Sequence, residues 1–267
     1  MSKRAEVLAL VSVLVGLAPV TTYAATVQVD LTGWTENGFR GNNGAGNWTV
    51  QPGNDEVLQT FNSQPTAFFA PGANDQGSDL RGTIRVETSS DDDFIGFILG
   101  YQDAEFNSTS ADFWLIDWKQ GDQSLAQNLA VDGLALSHVT GDVANTPSAN
   151  DFWEHTGTVN EVQRGSSLGS TGWVDNTEYD FDLSFTDSLI EVKVNGTTEL
   201  SYTSALNGGN PFTDGAFGFY NYSQGNVRYA GLTEEVLPPA SPIPLPASLP
   251  LLLAGIGGLA FLRRRKT

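Results

Sequence analysis

A short run of strictly alternating residues constrains the fold of this chain more than any other feature. Between residues 179 and 185 every odd-numbered position is apolar, and every even-numbered position is Asp or Ser. Because successive side chains of a β-strand point to opposite faces, this pattern predicts a strand with one buried and one solvated face. Two further apolar runs follow, separated by Asn195 and Gly196. Asn-Gly favours the type I′ turn of a tight hairpin.

Similar short segments recur between residues 26 and 236, without a long apolar pattern of helical period. Residues 94–99 are nearly continuous in apolar side chains, which predicts a central strand covered on both faces. The best candidate for a helix is residues 124–131. Strands are also predicted at residues 82–88, 94–101, 112–119, 216–222 and 226–232. Many short antiparallel strands predict an all-β fold of two packed sheets, a β-sandwich or jelly roll.

The first 24 residues predict a secretory signal peptide. Lys3 and Arg4 precede an apolar run over residues 7–20, and Thr22 and Ala24 supply the small side chains found before a cleavage site. A permanent anchor is the alternative, but the run is shorter than the ~20 residues of a spanning helix. The mature domain is therefore expected over residues 25–236.

The C-terminal end predicts a membrane-directed tail. A proline-rich linker with a short sorting motif occupies residues 237–246, and a transmembrane segment with a basic tail occupies residues 247–267. The apolar part, residues 247–262, would span only about 24 Å as a helix, which is marginal for a bilayer. The basic residues that follow it are expected to stop translocation: Arg263, Arg264, Arg265 and Lys266.

The order of motif, apolar segment and basic end resembles the PEP-CTERM family of sorting signals in its Val-Pro-Leu-Pro-Ala variant, with Ile243 in place of valine. The resemblance implies a temporary membrane helix and cleavage by an exosortase, a membrane protease-transpeptidase. Members belong to Gram-negative-type bacteria that make exopolysaccharide, so it implies an inner-membrane intermediate and then a cell-surface or matrix location. An ordinary single-pass anchor is the alternative. The motif residues are Pro244, Leu245, Pro246 and Ala247.

The net charge of −18 limits the partners of the chain. Basic residues are concentrated at the two ends, so the middle domain is more acidic than the whole. Such a charge repels nucleic acid and anionic lipid, and it attracts divalent cations. The sequence has no cysteine, which excludes disulfides, thiol nucleophiles and thiolate metal sites.

Residues 91–102 are similar to the thrombospondin C-terminal domain. The similarity begins at Asn47 and Trp48 and continues to about Leu232. It implies a concanavalin-type β-sandwich, related in shape to L-type lectins, and it implies bound calcium. The segment that corresponds to the receptor segment of the family carries Asp112 in place of a basic residue and Asp117 in place of an apolar one.

Three adjacent carboxylates, on Asp91, Asp92 and Asp93, precede the predicted central strand. They repel one another unless a cation or solvent screens them, and calcium takes six to eight oxygen ligands in flexible geometry. Asp79, at the matching aspartate of the family, is expected to contribute a further ligand. If the run continues the strand, Asp91 and Asp93 share one face. A solvated acidic turn is the alternative.

No catalytic residue is predicted. The only histidines, His138 and His155, form no metal-binding motif, and His155 is expected to be packed among aromatic residues. Trp34, Trp114 and Tyr220 offer rings that could stack on sugars, although most are expected in the core. We therefore expect an exported, non-enzymatic, calcium-binding surface protein of adhesion or matrix type, with extracellular polysaccharide or surface glycans as its partners. A secreted carbohydrate-active enzyme and a purely structural surface protein without ligand are the alternatives.

Overall fold

Antiparallel strands dominate the computed structural model, which describes residues 26–40, 45–125 and 127–236. Eight of them form the first sheet, sheet A. Its strands are β1 (Thr26–Gln28), β3 (Trp48–Val50), β4 (Val57–Gln59), β6 (Ser78–Val86), β13 (Glu178–Phe185), β14 (Leu189–Val194), β15 (Thr197–Thr203) and β17 (Val227–Val236). They lie in the order β15-β14-β13-β6-β17-β4-β3, and β1 pairs with β17.

Seven strands form the second sheet, sheet B. They are β2 (Thr35–Gly38), β5 (Thr66–Phe69), β7 (Phe94–Tyr101), β8 (Ala111–Lys119), β11 (Gly133–Gly141), β12 (Val159–Arg164) and β16 (Ala216–Tyr222). Their order in the sheet is β12-β11-β8-β7-β16-β5-β2. A 3₁₀ turn covers Glu105–Asn107, and a short helix, α1, covers Asn150–Glu154. The predicted all-β sandwich of two sheets is therefore confirmed.

The main core lies between the two sheets. Phe97 of sheet B meets Phe181 of sheet A with 4.6 Å between ring centroids, and Phe219 stacks on Tyr229 at 4.4 Å. The alternation that predicted β13 is present in the structure, because Phe181, Leu183 and Phe185 are buried and the intervening side chains are only partly covered. Large aromatic side chains thus join the sheets without any disulfide.

Sheet B is covered on its outer face as well. Trp114, Ile116 and Trp118 of β8 belong to the core between the sheets, whereas Phe113 and Leu115 belong to a second apolar cluster beneath α1. All eight residues of β7 are buried. The prediction that residues 94–99 form a central strand covered on both faces is confirmed.

The β14–β15 hairpin forms as predicted at the Asn-Gly pair. Asn195 has φ 49° and Gly196 has φ 76°, the two positive values that a type I′ turn requires. The strands on either side pair in antiparallel register, with Val194 opposite Thr197.

The helix predicted at residues 124–131 is wrong. These residues lie in a separate two-stranded hairpin of β9 (Gln123–Leu125) and β10 (Asn128–Ala130). Gln127 turns the chain with φ 86°. Leu125 and Leu129 are 53% and 49% exposed, so their helical spacing does not mark a buried face.

The predicted export segments lie outside the described residues. They are the signal peptide at residues 1–24, the linker at 237–246 and the apolar tail at 247–267. Within the part of the chain that the structure describes, no helix is long and apolar enough to cross a membrane.

Candidate functional site

The acidic run lies in the segment that leads from β6 into β7. It precedes the strand rather than continuing it, because β7 begins at Phe94. Asp91, Asp92 and Asp93 each place a carboxylate oxygen within 4.8 Å of the other two. Strand alternation therefore does not set which faces these three side chains occupy. The three carboxylates converge on one point at the end of the sandwich.

A buried lysine pairs closely with Asp93 and more distantly with Asp92, whose Oδ1 lies 3.8 Å from the ammonium nitrogen. Lys119, at the end of β8, is fully buried, and its Nζ donates to Asp93 Oδ1 at 2.8 Å. The ammonium also donates to the Asp92 carbonyl oxygen at 3.1 Å and to Gln123 Oε1 at 3.0 Å. The aromatic rings of Phe94 and Trp153 lie 5.3 and 4.9 Å from Nζ, where their π faces attract a cation.

Asp91 is the carboxylate of this run with the least compensation. Asn62 Nδ2 donates to Asp91 Oδ2 at 2.5 Å. Partial burial and the neighbouring charge of Asp93 raise the pKa of Asp91 to about 6, against the opposing hydrogen bonds from the Asp92 backbone and Asn62. A cation bound near Asp91 would stabilise the charged form of its carboxyl group and would lower the raised pKa.

Neighbouring loops fix the position of Asp93. Its backbone N–H donates to Gln224 Oε1 at 2.9 Å, and its carbonyl accepts a hydrogen bond from Trp173 Nε1 at 3.1 Å. Ser223 Oγ also donates to Asn62 Oδ1, which connects the partner of Asp91 to the same loop. The acidic run is therefore held by contacts from three separate parts of the chain.

The structure does not bring Asp79 to this cluster. Asp79 lies at the start of β6 and accepts a hydrogen bond from Arg81 Nη2 at 3.1 Å. The acidic run follows the other end of that strand, and the strand rise from Asp79 to Val86 alone is about 23 Å. The motif Pro244, Leu245, Pro246 and Ala247 and the basic end Arg263, Arg264, Arg265 and Lys266 lie outside the described residues.

A second buried charge group was not predicted from the sequence. His155 follows α1, with its Nε2 2.9 Å from Asp117 Oδ2 and its Nδ1 3.0 Å from Glu161 Oε2. Carboxylates accept hydrogen bonds, so both ring nitrogens donate and the imidazole is positively charged. Burial opposes this charge, but Asp117 and Glu161 outweigh it and raise the pKa of His155 to about 9. Arg164 pairs with Glu161 at 2.8 Å and completes the group.

One sequence signal could have indicated this group. Asp117 is the acidic residue within residues 113–118 of β8, which are otherwise apolar. Such a carboxylate needs a partner. His155 is buried, as expected, but it lies 38 residues from Asp117, and no local pattern connects the two.

The rings proposed for sugar stacking have different environments. Trp114 and Tyr220 are buried in the two core clusters, so neither presents a face to solvent. Trp34 is only partly buried, at the margin of the core between the sheets. Only Trp34 of these three remains a candidate for contact with a ligand.

Comparison with known proteins gives the family. The sequence-family model of the thrombospondin C-terminal region matches residues 43–236. Thrombospondin-3b of Danio rerio is 32% identical over 202 residues, which cover 70% of this chain and 20% of the relative. Cartilage oligomeric matrix protein of Rattus norvegicus is 31% identical over 201 residues, which cover 70% of this chain and 25% of that protein.

Among solved structures, the carbohydrate-binding module CBM66 from Bacillus subtilis aligns with a TM-score of 0.50 and 11% sequence identity, covering 76% of this chain and 95% of the module. At that identity the likeness shows the fold alone, a lectin-like β-sandwich. The chain spans about a fifth to a quarter of the length of the curated relatives named above. With a family model that matches most of its length, this chain belongs to the thrombospondin C-terminal region family.

Proposed function

We propose that this chain is an exported, non-enzymatic, calcium-binding protein of adhesion or matrix type, associated with extracellular polysaccharide. The observation that carries the proposal is the convergence of three carboxylates at Asp91, Asp92 and Asp93 in a thrombospondin-type domain. Oxygen ligands of this kind suit calcium. The name of one relative, cartilage oligomeric matrix protein, supports the matrix role.

The contacts of the acidic run suggest which of its carboxylates bind calcium and which pairs with Lys119. Asp93 already pairs with Lys119, and it is the most buried of the three carboxylates. Asp91 and Asp92 are half-buried and open to solvent on one side. We therefore propose Asp91 and Asp92 as the principal calcium ligands, with Asp93 shared between the cation and the lysine. Asp79 pairs with Arg81 instead, so it is left out of this ligand set.

A thermal melt of the full chain tests the calcium proposal. A ligand that binds only the native state stabilises it by ~2.7 kcal/mol at about 100 times its Kd. For a domain of this size that corresponds to a rise in Tm of roughly 5–10 °C over the value in chelator. Asp91→Asn should remove most of this rise, whereas the exposed Asp187→Asn should retain it. Equal Tm values in calcium and in chelator would exclude the site.

The export route is the second part of the proposal. We propose that residues 1–24 are removed as a signal peptide and that an exosortase cuts the chain near Pro244 to Ala247. The supporting features are the motif, the apolar segment and the basic end in that order. Before cleavage, the C-terminal helix would hold the chain in the inner membrane of a Gram-negative-type bacterium. Afterwards the domain would reside at the cell surface or in the matrix.

Replacing Pro244, Leu245 and Pro246 with alanine tests this route. The uncut chain should then accumulate in the inner-membrane fraction, detected by its unchanged length on a denaturing gel. Alanine at Pro238 and Pro239, in the linker before the motif, is the matched control and should allow normal release. Normal release of the motif variant would exclude the sorting signal and leave an ordinary anchor as the alternative.

Two alternative functions have their own tests. A secreted carbohydrate-active enzyme would hydrolyse envelope polysaccharide, which is measured as the release of reducing ends by the purified chain. A purely structural protein would bind no glycan in calcium or in chelator. We favour the calcium-binding proposal over a purely structural role because the acidic run provides ligands for an ion. Charge that serves only solubility could be dispersed over the surface.

A further inference from the structure

Two open clefts meet at a single tryptophan on one edge of the sandwich. The first has a volume of about 420 Å³ and includes Glu36 and Asn54 in its wall. The second has a volume of about 220 Å³ and includes Asp75 and Glu234. Of the residues in the described ranges, Trp34 alone lines both. The indole of Trp34 therefore forms a wall shared by the two clefts.

The local structure presents the indole at this edge. Trp34 follows a turn in which its N–H donates to the Leu31 carbonyl at 3.1 Å, and β2 begins at the next residue. Its ring stacks on Phe219 of the core at 5.5 Å with 21° between planes. This contact fixes the ring, while the side chain remains only partly buried. A fixed, accessible aromatic side chain can hold a sugar ring or an ammonium group at little entropic cost.

The first cleft offers hydrogen-bonding groups that are not engaged elsewhere. Within residues 26–40, 45–125 and 127–236, the side chains of Glu36 and Asn54 and the indole Nε1 of Trp34 make no hydrogen bond. Both Glu36 and Asn54 are exposed. A carboxylate, a carboxamide and an indole N–H provide both acceptors and donors, which hydroxyl and amino groups of a saccharide can use together.

The second cleft is acidic. Asp30, Asp75 and Glu234 line it, and these carboxylates form no ion pair with a lysine, arginine or histidine of the described chain. Asp75 Oδ2 accepts a hydrogen bond from the Phe217 backbone N–H at 2.6 Å, which orients its carboxylate. Burial, together with the charges of neighbouring carboxylates, raises the pKa of Asp75 to about 6 against the effect of that hydrogen bond.

The linings of the two clefts select the charge of the ligand. Among the residues that the structure describes, neither lining includes a lysine, an arginine or a histidine. Anionic sugars would be repelled, whereas an ammonium group would compensate the carboxylates and attract the π face of the indole. Two clefts with one shared aromatic wall also suit a chain of repeating units better than a single small molecule.

We propose that the clefts on either side of Trp34 form one binding trough for a polysaccharide that bears free amino groups, such as a polymer of glucosamine units. The trough consists of Trp34 with Glu36, Asn54, Asp75 and Glu234. This inference rests on the proposed association with polysaccharide and names the class of glycan. It does not depend on the calcium site, because its residues are not those of the acidic run.

Calorimetric titration of the full chain tests the trough. The probes are oligosaccharides of β-linked glucosamine, N-acetylglucosamine and glucose of equal length, each titrated in chelator. The glucosamine oligosaccharide should bind at least tenfold more tightly than the other two. Trp34→Ala should weaken its binding at least tenfold, and the exposed aromatic Phe61→Ala is the matched control that should leave binding unchanged.

Polar variants separate loss of the trough from loss of folding. Glu36→Gln and Asp75→Asn should each weaken binding of the glucosamine oligosaccharide severalfold while the Tm in chelator stays within a few degrees of the parent. They should affect the N-acetylated oligosaccharide less, since it carries no ammonium group. Equal loss for both oligosaccharides would contradict the proposed role of the carboxylates.

Other outcomes would overturn the trough, and each shows separately which part of the proposed function stands. If a glycan binds but Trp34→Ala does not weaken it, the polysaccharide association stands and this location is wrong. If an oligolysine peptide binds as tightly as the glucosamine oligosaccharide, the surface attracts cations without selecting sugars. If no saccharide binds while calcium still raises the Tm, the trough and the polysaccharide association both fail and the calcium proposal remains.

Discussion

At the scale of single residues, the outer face of sheet B contains charges that are unusual for a buried surface. Lys119 and Asp93 form one pair there, and His155 with Asp117 and Glu161 forms another group. Removing one partner of a buried pair leaves an uncompensated charge, which costs more than the pair itself contributes. Each group should therefore contribute strongly to the stability of the fold.

We expect Lys119→Met to lower the free energy of unfolding by roughly 3–5 kcal/mol, because the Asp93 carboxylate would remain buried without its ammonium partner. Urea denaturation in chelator measures the change. Lys193→Met is the matched control: its pair with Glu191 is partly exposed, and its loss should cost less than about 1 kcal/mol. Adding Asp93→Asn to Lys119→Met should restore part of the loss. Similar costs for the two lysine variants would contradict the buried pair.

The stability of the chain should fall between pH 6.5 and about 9. The folded state raises the pKa of His155 from 6.5 to about 9, so its stabilising effect is complete below pH 6.5 and disappears as pH rises through 9. Urea midpoints across this range measure the effect. His155→Gln should flatten the profile, whereas His138→Gln should keep it, because His155 is then intact. Parallel profiles for parent and His155→Gln would show that another group is responsible.

At the scale of secondary structure, the Asn195-Gly196 turn is the clearest case of local control. Gly196→Ala should lower the free energy of unfolding by about 1–2 kcal/mol, because an L-residue at positive φ is strained. An added Cβ meets no atom within 4 Å at this position, so the cost is conformational. Gly121→Ala is the control, since its added Cβ makes only an ordinary contact at 3.7 Å. Urea denaturation that finds equal stabilities would contradict the turn assignment.

Elements that follow from local pattern were predicted from the sequence. The alternation of β13, the apolar run of β7 and the turn after Val194 each depend on residues within a few positions of one another. The β9–β10 hairpin was missed because Leu125 and Leu129 have a spacing that also fits a helix. In the structure both are exposed, so burial does not enforce either pattern.

The candidate site was predicted only in part, because some of its contacts join residues that are distant in the sequence. Three adjacent aspartates are visible in the sequence, and they converge in the irregular segment that precedes β7. Their neutralising partner, Lys119, is 26 residues from Asp93 and comes next to it only because β7 and β8 pair. The expected ligand Asp79 depended on which end of β6 meets the run, a feature of topology rather than of pattern.

At the scale of the whole molecule, the net charge of −18 should make stability depend on ionic strength. In chelator, the Tm should rise as NaCl increases from about 10 mM to about 300 mM. The added salt shortens the Debye length to less than ~10 Å, which weakens the repulsion among carboxylates. Choline chloride at equal ionic strength should have the same effect, since screening depends little on which cation is used. A Tm that does not respond to either salt would show that the carboxylates are already compensated.

The pairing of β1 with β17 also determines how the domain can be carried in a larger chain. Thr26 lies opposite Glu235 in this ladder, so the polypeptide enters and leaves the domain at neighbouring points, about 5 Å apart. A domain with adjacent ends can be inserted into a longer protein without forcing the flanking segments apart. That geometry allows the domain to form one part of a longer protein. In thrombospondin-3b of Danio rerio, the region that matches this chain is about a fifth of the length.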